Sequence, residues 1–572
     1  MHGPAPSNKS WLPEWVLWLA ERKYWIYPAL AFFALMLYLP GLAELPPMDR
    51  DEPRFAQASK QMVETGDYVR IMFQDEPRLK KPIGIYWLQS ASAGLLAEEP
   101  DALWTYRLPS LIGAVAAVLL CAAIGGALFK GPVGGVGGML LAPVLLMTVE
   151  ANLAKTDAVL LATILAAQWA LARAWMAGRT ETGQELTRAG SWTALAFWLA
   201  IGCGVLVKGP VILMIVGLTA LGLILWQRRA RWFLALRPLW GVPVALLVIA
   251  PWFVAIHFAT DGAFWEEALG RDFLAKIGQG QEAHGAPPGF YLLLVFVTFW
   301  PAAALLGMAV LGAWRGRGSP AVQFCTAWIV PNWIVFELVA TKLPHYVLPL
   351  YPALALLAAY MLVRGGEAPA KKWAARLAVA PVWIAAIIAL GLAVAMVFVP
   401  PFFGGAVDGP GIAAGAAFAA LAYTLYRYAR GAFENAFPLG VVMLAAVLAY
   451  WPAYRNVVPS LSELWVSNRL ATAVVRHAPP ECVGEPELFT IGYNEPSLIF
   501  LAGTETSRGR GPAAVEHLVA DPACHVAAIE SREWPRFEEA LGGREVRELA
   551  RVTGLNYSKG KKVSLRLVQL GD

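Results

Sequence analysis

Thirteen long apolar runs constrain the fold of this 572-residue chain more than any other feature of its sequence. Each run is close to or above the length that an α-helix needs to cross about 30 Å of hydrocarbon. Hydrophobic residues make up 58% of the chain and charged residues only 15%, whereas soluble chains carry roughly a quarter charged residues. The sequence therefore predicts an α-helical polytopic membrane protein. The predicted spans are 24–42, 107–129, 133–150, 157–176, 191–206, 209–227, 237–257, 290–313, 321–340, 345–363, 374–399, 411–427 and 437–452.

A further apolar stretch, residues 83–97, is predicted not to cross the membrane. It contains Gly84 and Gly94 and ends at Glu98, so a re-entrant or juxtamembrane helix fits it better than a span. With thirteen spans, six connections that carry Lys and Arg fall on one face, which the positive-inside rule makes cytoplasmic. The N-terminus is then cytoplasmic and the chain after residue 452 lies outside. The connections in question hold Lys130, Arg179, Arg188, Arg228, Arg229, Arg231, Arg237, Arg315, Arg317, Arg364, Lys371, Lys372, Arg427 and Arg430.

The tail, residues 453–572, differs in kind from residues 1–452, which form the predicted transmembrane domain. It is polar, and strand-like runs such as 488–491, 526–529 and 563–568 alternate with helical patterns, so a small α/β domain is predicted. Cys482 and Cys524 both fall in it. In an oxidising compartment they could form a disulfide or remain two free thiols.

Two acids on the predicted outer face could perform chemistry. Asp51 follows the first span and precedes a helix-like stretch, where it could serve as general base to an acceptor hydroxyl or only as a helix N-cap. Asp157 begins a later span on the same predicted face, where it could complete a shared site or only cap the span.

Basic residues gather on the same face, against the positive-inside bias. Arg54, Arg78, Lys80 and Lys81 could hold a phosphate, Arg in bidentate fashion and Lys as a compact charge, or they could reach lipid headgroups. Lys208 lies between apolar runs before Gly-Pro and either reaches headgroups or meets a bound anion.

Two further segments are candidates for substrate contact. The 258–289 loop, which holds His284, is long enough to act as a mobile substrate gate, although His284 could be an ordinary surface residue. Lys342, His345 and Tyr346 lie at the mouth of a span, where Tyr346 could contact substrate or anchor the interface. The sequence has no Walker loop, no dinucleotide fingerprint and no zinc-finger spacing, which favours a lipid-borne donor.

Seven motifs occur together in order: DEPRFAQ, GDYV, LKKPIGIYWL, NLAKTDA, LVKGP, HGAPPGFYLL and KLPHYVLPLYPALALL. With them the chain resembles the membrane GT-C glycosyltransferases related to protein O-mannosyltransferases, especially the bacterial lipid A aminoarabinose transferases. The resemblance implies a multi-pass protein of the bacterial inner membrane with a periplasmic active site. It implies inverting transfer of a sugar from an undecaprenyl-type polyprenyl phosphate to lipid A or lipopolysaccharide core.

The resemblance also implies residue roles. Asp51 would be the principal catalytic carboxylate, with Asp157 and Arg54 close by, Lys81 on the donor phosphate and Tyr346 near the leaving oxygen. Further substrate contacts are assigned to Glu52, Arg78, Lys80, Tyr86, Lys208, His284, Lys342 and His345.

The chain departs from the family at one position. In the aminoarabinose transferases an acidic residue before the phosphate-binding lysine pairs with a loop histidine at a metal. Here Lys80 takes that position, with His284 as the counterpart of the histidine. Lysine is a poor metal ligand, so no cofactor is assigned. The positive charge of Lys80 could instead bind a more anionic donor or acceptor.

Two other functions stay open on the sequence. A protein O-glycosyltransferase or an oligosaccharide polymerase would use the same donor type. A lipid-linked sugar flippase is less consistent with the sequence. In such transporters the polar groups usually lie near the membrane midplane, and the two halves of the chain often resemble each other. The expected partners are the polyprenyl-phosphate sugar, a glycolipid acceptor and membrane lipids, with no nucleic acid and a monomeric chain.

Overall fold

The computed structural model describes residues 10–48, 50–177, 190–268, 270, 285–365, 371–431, 434–477, 482 and 486–571. Helices dominate as far as residue 457, and a mixed sheet follows. The helices of the first part are α1 Glu14–Glu21, α2 Lys23–Tyr38, α3 Asp51–Thr65, α4 Gly84–Leu96, α5 Leu103–Leu128, α6 Val133–Leu141, α7 Leu145–Ala151, α8 Asp157–Ala177, α9 Ser191–Lys208, α10 Val211–Gln227, α11 Pro238–Ala259, α12 Ala263–Trp265, α13 Phe290–Thr298, α14 Leu306–Arg315, α15 Pro320–Leu338, α16 Tyr351–Arg364, α17 Lys372–Phe398, α18 Gly409–Arg430 and α19 Leu439–Pro452.

The predicted class, a helical polytopic membrane protein, is confirmed. Among the described residues, seven helices are long and apolar enough to cross a membrane, and the count reaches nine if each of two bent pairs is one span. The four remaining predicted spans are also helical, as α2, α10, α18 and α19.

Two predicted spans, 133–150 and 290–313, are not the continuous helices that the hydropathy pattern indicated. The first is α6 and α7, bent by 67°, and the second is α13 and the segment Ala302–Arg315, bent by 120°. Pro143 and Pro301 lie in the breaks, and proline removes a helical hydrogen bond and clashes with the preceding turn.

The backbone groups freed at these breaks find partners within the protein. Leu145 N donates to Trp300 O at 2.7 Å, so the two breaks are joined to each other. Tyr38 Oη donates to Ala142 O at 2.8 Å and Tyr450 Oη to Pro143 O at 3.0 Å. Irregular backbone inside a membrane protein requires such internal partners.

The first outer loop folds into α3, a short hairpin and α4. The hairpin pairs β1 Met72–Phe73 with β2 Glu76–Pro77, antiparallel. Helix α3 ends at Gly66, whose φ of +72° is the left-handed conformation that glycine adopts without strain. Helix α4 has 13 residues, about 20 Å at 1.5 Å per residue, which is too short to cross and agrees with the prediction for 83–97.

The chain after residue 465 forms a five-stranded sheet with helices on both faces. The strand order is β4-β3-β5-β7-β6, with β3 parallel to β4 and β5, and β7 antiparallel to β5 and β6. Cys482 and Cys524 form a disulfide. The elements are α20 Val466–Arg476, β3 Glu487–Ile491, α21 Pro496–Ala502, β4 Ser507–Arg508, α22 Gly511–Ala520, β5 His525–Glu530, α23 Trp534–Leu541, β6 Val546–Asn556 and β7 Lys561–Leu570.

This α/β region contacts the first outer loop directly. Gln74 Nε2 donates to the carbonyls of Thr504 and Thr506 at 2.9 and 2.6 Å, and Gln57 Nε2 donates to Thr504 Oγ1 at 2.8 Å. The Phe500 ring packs edge-on against Tyr106 at 5.5 Å. The sheet is therefore fastened to the loop that carries Asp51.

Helix α4 offers a test of how it packs on α9. A Cβ at Gly84 would lie 2.8 Å from the backbone of Leu206, whereas a Cβ at Gly94 meets nothing within 4 Å. We expect Gly84→Ala to destabilise the protein by about 1–3 kcal/mol through overpacking, and to lower its thermal unfolding temperature in detergent. The control Gly94→Ala should be neutral or stabilising by up to about 1 kcal/mol, because alanine favours the helix. Equal stability of the two variants would contradict this packing.

Candidate active site

Four segments meet at one end of the helices: the start of α3, the turn before α8, the end of α9 and the 3-10 turn Pro344–Leu350. They bring together most of the polar residues predicted for the site. From these segments, from the end of α7 and from the connection between β2 and α4 come Asp51, Arg54, Arg78, Glu150, Lys155, Asp157, Lys208, His345 and Tyr346.

Asp157 lies at the centre of this cluster. Its Oδ1 accepts a hydrogen bond from Lys208 Nζ at 2.5 Å and lies 3.9 Å from His345 Nε2. Lys208 Nζ also lies 5.9 Å from the centre of the Tyr346 ring. The glycine at 209, with φ +68°, ends α9 directly after Lys208 and turns the chain towards Pro210.

Asp51 occupies the first turn of α3, and its side chain is 46% exposed. Arg54 Nη1 lies 3.9 Å from Asp51 Oδ1, one helical turn away. Burial raises the pKa of Asp51, but the positive charges of Lys155, Arg78 and Arg54 outweigh it and hold the pKa below its usual value. Asp51 is therefore ionised at neutral pH.

The connection between β2 and α4 adds Arg78 to the cluster, near Asp51. Arg78 Nε donates to Tyr86 Oη at 3.2 Å, and its guanidinium lies 5.1 Å from the centre of the Phe55 ring. Lys81 follows in the same connection and is half-buried, while Lys80 is exposed.

Sequence reasoning missed Glu150 and Lys155 as members of the cluster. Glu150 Oε1 lies 3.5 Å from Lys155 Nζ and 3.9 Å from His345 Nδ1, and all three side chains are largely buried. The signal was present in the segment EANLAKTDA, where three charges occur in nine residues of a membrane-spanning region.

Glu52, which the sequence predicts to contact substrate, lies in the interior of the protein. Its side chain is fully buried and forms a bidentate pair with Arg107, at 2.8 and 3.1 Å. Its oxygens also accept from the amides of Met48 and Ala154, at 2.6 and 2.9 Å. Both oxygens are thus engaged within the protein, and we assign Glu52 a structural role.

Lys342, also predicted to contact substrate, is buried at the end of a helix. Its side chain is 4% exposed, and Nζ donates to the carbonyls of Glu337 and Val339 at 2.9 and 2.5 Å, so it caps the C-terminus of α15. A cation satisfies the carbonyls that a helix end leaves unpaired. His284 lies outside the described residues.

Glu150, Asp157 and His345 form a cluster of potential metal ligands, separate from Lys80 and His284, where the resemblance places the family's metal. One ligand atom each from Glu150, Asp157 and His345 lies within 4.8 Å of the others. However, an ammonium group already pairs with each carboxylate, Lys155 with Glu150 and Lys208 with Asp157. The donor set therefore does not fit a divalent cation.

Comparisons with known proteins found similarity in both sequence and fold. The family model described as dolichyl-phosphate-mannose-protein mannosyltransferase matches residues 80–254. The crystal structure of ArnT from Cupriavidus metallidurans bound to undecaprenyl phosphate superposes with a TM-score of 0.71 at 17% identity, covering 94% of this chain and 97% of that one. The chain has the ArnT fold.

The sequence relatives agree with this fold and confirm the predicted resemblance. An undecaprenyl phosphate-alpha-4-amino-4-deoxy-L-arabinose arabinosyl transferase of Pseudomonas paraeruginosa is 31% identical over 339 residues, 58% of this chain. One from Aeromonas salmonicida is 29% identical over 335 residues, again 58% of this chain. The chain spans only 60% and 59% of the length of these two relatives, so the resemblance of sequence is confined to part of each protein.

The buried Glu52–Arg107 pair can be tested by removing one charge. We expect Glu52→Gln to destabilise the protein by about 3–5 kcal/mol, because Arg107 would keep an uncompensated charge in a dry environment. Glu44→Gln is the control, since its pair with Arg455 is partly exposed and should contribute at most about 1 kcal/mol. Thermal unfolding in detergent measures both. A Glu52→Gln variant as stable as Glu44→Gln would contradict the structural role.

Proposed function

We propose that this protein is an inverting glycosyltransferase that uses a polyprenyl-phosphate sugar of the undecaprenyl type. The acceptor proposed is a hydroxyl or phosphate of lipid A or lipopolysaccharide core. The observation that carries the proposal is the convergence of Asp51 and Asp157 with four cations at one end of the helix bundle. The relatives named as arabinosyl transferases and the shared fold support the same reaction class.

The charge balance of the cluster suits a phosphate leaving group. Four cations, Arg54, Arg78, Lys155 and Lys208, face three carboxylates, Asp51, Glu150 and Asp157, so one positive charge is in excess. In the reaction the acceptor oxygen bonds to the anomeric carbon while the bond from that carbon to the phosphate oxygen breaks. Fixed cations near that oxygen stabilise the negative charge that develops on the departing polyprenyl phosphate.

Asp51 is the group proposed to act on the acceptor. It is ionised and partly exposed, so it can accept a hydrogen bond from the attacking hydroxyl and take its proton as the new bond forms. Its lowered pKa makes it a weak base, which favours orienting the acceptor over removing the proton in advance. Asp157, paired with Lys208, is proposed to hold that cation and His345 in position.

A protein O-glycosyltransferase is the second candidate. The observation that favours it is the family model over residues 80–254, whose description is a protein mannosyltransferase. A protein acceptor would need the same donor chemistry, so the two candidates differ in the acceptor alone.

We further propose thirteen crossings of a bacterial inner membrane, with the N-terminus cytoplasmic and the α/β region of residues 453–572 periplasmic. Support comes from the contact of Lys208, at the end of α9, with Asp157, at the start of α8. Helix α9 is about 27 Å long, and at its other end Arg237 donates to Ser191. The connection that holds Arg237 therefore lies at the opposite end of the helix from the candidate site.

The reaction can be tested by complementing a deletion strain and analysing its lipid A, core oligosaccharide and periplasmic proteins by mass spectrometry. We expect the wild type to restore a sugar that Asp51→Asn and Asp157→Asn fail to restore, with transfer roughly 10²–10⁴-fold slower. Asp75→Asn is the control, because Asp75 is an exposed acid in the turn of the β1–β2 hairpin. Recovery of the sugar with Asp51→Asn would contradict the catalytic role. A sugar restored on protein instead of glycolipid would select the second candidate.

The orientation can be tested with reporter fusions to the full chain. We expect alkaline phosphatase fused after residue 571 to be active, because that enzyme matures only outside the cytoplasm. The same reporter inserted after Ala230, in the basic connection between α10 and α11, should be inactive. The opposite pattern at either point would overturn the thirteen-span assignment.

A further inference from the structure

A polar cleft separates the start of the first outer loop from the α/β region, beside the candidate active site. Pro46, Pro47 and Arg50 line it on the side of the loop. The start of α20, the start of α21 and the turn between β6 and β7 line the other side. Hydroxyl and amide groups, which both donate and accept hydrogen bonds, predominate there. They belong to Ser467, Asn468, Ser497, Asn556, Tyr557 and Ser558.

Two cations in this cleft face one buried carboxylate, that of Glu495. Arg50 Nε lies 3.8 Å from Glu495 Oε2, and Lys559 Nζ lies 4.0 Å from Glu495 Oε1. Both separations are longer than a hydrogen bond, and the hydrogen bond to Oε1 comes from Asn556 Nδ2 at 2.9 Å. Within the described residues, Arg50 Nε has no hydrogen-bond partner. The cleft therefore holds one positive charge in excess, on side chains that are 42% and 44% exposed.

The turn that carries Lys559 is fixed by the strands on either side of it. The amide of Lys559 donates to Asn556 Oδ1 at 3.1 Å and to Asn556 O at 3.2 Å. Lys561, which is exposed, is the direct partner of Asn556 in the antiparallel pairing of β6 and β7. Directly opposed residues lie on the same face of a sheet, so Lys561 adds a further positive charge on the side of Asn556.

The position of Arg50 connects this cleft both to the candidate catalytic acid and to the membrane. Arg50 is the N-cap residue of α3, and Asp51 is the first residue of that helix. Consecutive Cα atoms are about 3.8 Å apart, so an anion on Arg50 would lie close to the acid proposed to act on the acceptor. Pro46 follows the predicted span 24–42 after three residues, at the level where a lipid in the outer leaflet presents its headgroup.

We propose that Arg50 and Lys559 bind a phosphate of the glycolipid acceptor, other than the group that is attacked, and so hold the acceptor beside Asp51. A guanidinium binds phosphate oxygens through two parallel hydrogen bonds, and an ammonium neutralises them as a compact charge. Glu495 and Asn556 would keep the two cations in place, while the hydroxyl groups of the cleft contact the sugar. This inference rests on the proposed function, because it takes the acceptor to be a glycolipid.

The test measures the binding of lipid A to the purified full chain in detergent, using lipid A with both phosphates and lipid A from which both have been removed. We expect Arg50→Gln and Lys559→Gln to weaken binding of the phosphorylated form about 10–100-fold, the loss that follows from removing a charged hydrogen-bond donor. Both variants should bind the dephosphorylated form as the wild type does, because the partner of the lost cation is then absent. Arg536→Gln is the matched control, since Arg536 is an arginine of α23 that is 80% exposed, and it should change neither affinity.

Two further readouts separate phosphate binding from folding. Arg50→Lys keeps the charge and should recover much of the affinity that Arg50→Gln loses. The variants should unfold at the temperature of the wild type, because Asn556 and the remaining cation still face Glu495. In the transfer assay Arg50→Gln should raise KM for phosphorylated lipid A with kcat little changed, the pattern of lost substrate binding.

The outcomes distinguish this site from the proposed reaction. Equal affinity of the wild type and both variants for phosphorylated lipid A would overturn the site, whether or not sugar transfer is observed. A loss of affinity that is the same for the dephosphorylated form would also overturn it, as the mark of a structural role. Phosphatidylglycerol bound as tightly, and with the same dependence on Arg50, would assign the cleft to membrane lipid headgroups instead. Phosphate-dependent binding without transfer to any glycolipid would contradict the proposed reaction and leave the phosphate site standing.

Discussion

The buried pair of Glu52 and Arg107 is the interaction on which the candidate site depends. Arg107 comes from a long apolar helix, and it also donates to the carbonyls of Leu42 and Leu45 at 3.0 and 2.7 Å. Glu52 accepts from Ala154, two residues after Asn152 in the turn that leads to Asp157. One ion pair thus ties the end of α2, the start of α3 and the turn before α8. The residue next to Glu52 is Asp51, so the same bonds bring the two candidate catalytic acids to one site.

A charged side chain inside a membrane protein raises the free energy of the folded state unless it has a partner of opposite charge. In this cluster, acidic side chains are paired with basic ones. Glu150 pairs with Lys155 and Asp157 with Lys208, while His345 lies 3.9 Å from both carboxylates. Asp51 differs because it is partly exposed and lies under the influence of several cations. This division fits a buried network that holds its members in place and an outer acid that substrate can reach.

The sheet region is fastened to the same loop by other bonds. Glu495 is buried and accepts from Asn556 at 2.9 Å, and Arg50, the residue before Asp51, lies 3.8 Å from it. Thr504 and Thr506 accept from the hairpin through Gln74. The first outer loop is therefore held between the helices on one side and the sheet on the other.

The sequence by itself determined the class of protein, the positions of the long apolar helices and three of the strands of the final sheet. Apolar runs long enough to span a bilayer can be recognised directly in the sequence. The strands predicted at 488–491, 526–529 and 563–568 lie within β3, β5 and β7. The family motifs also selected most members of the cluster. What the sequence could not supply was which charges are partnered, because Glu52 and Asp51 are neighbours with the same chemistry and differ only in what the fold brings to them. Tertiary structure alone set Arg107 against Glu52, turned Lys342 onto a helix end and added Glu150 and Lys155. It also bent two apolar runs at prolines, since the carbonyls and amides freed there have partners only once the other helices are in place.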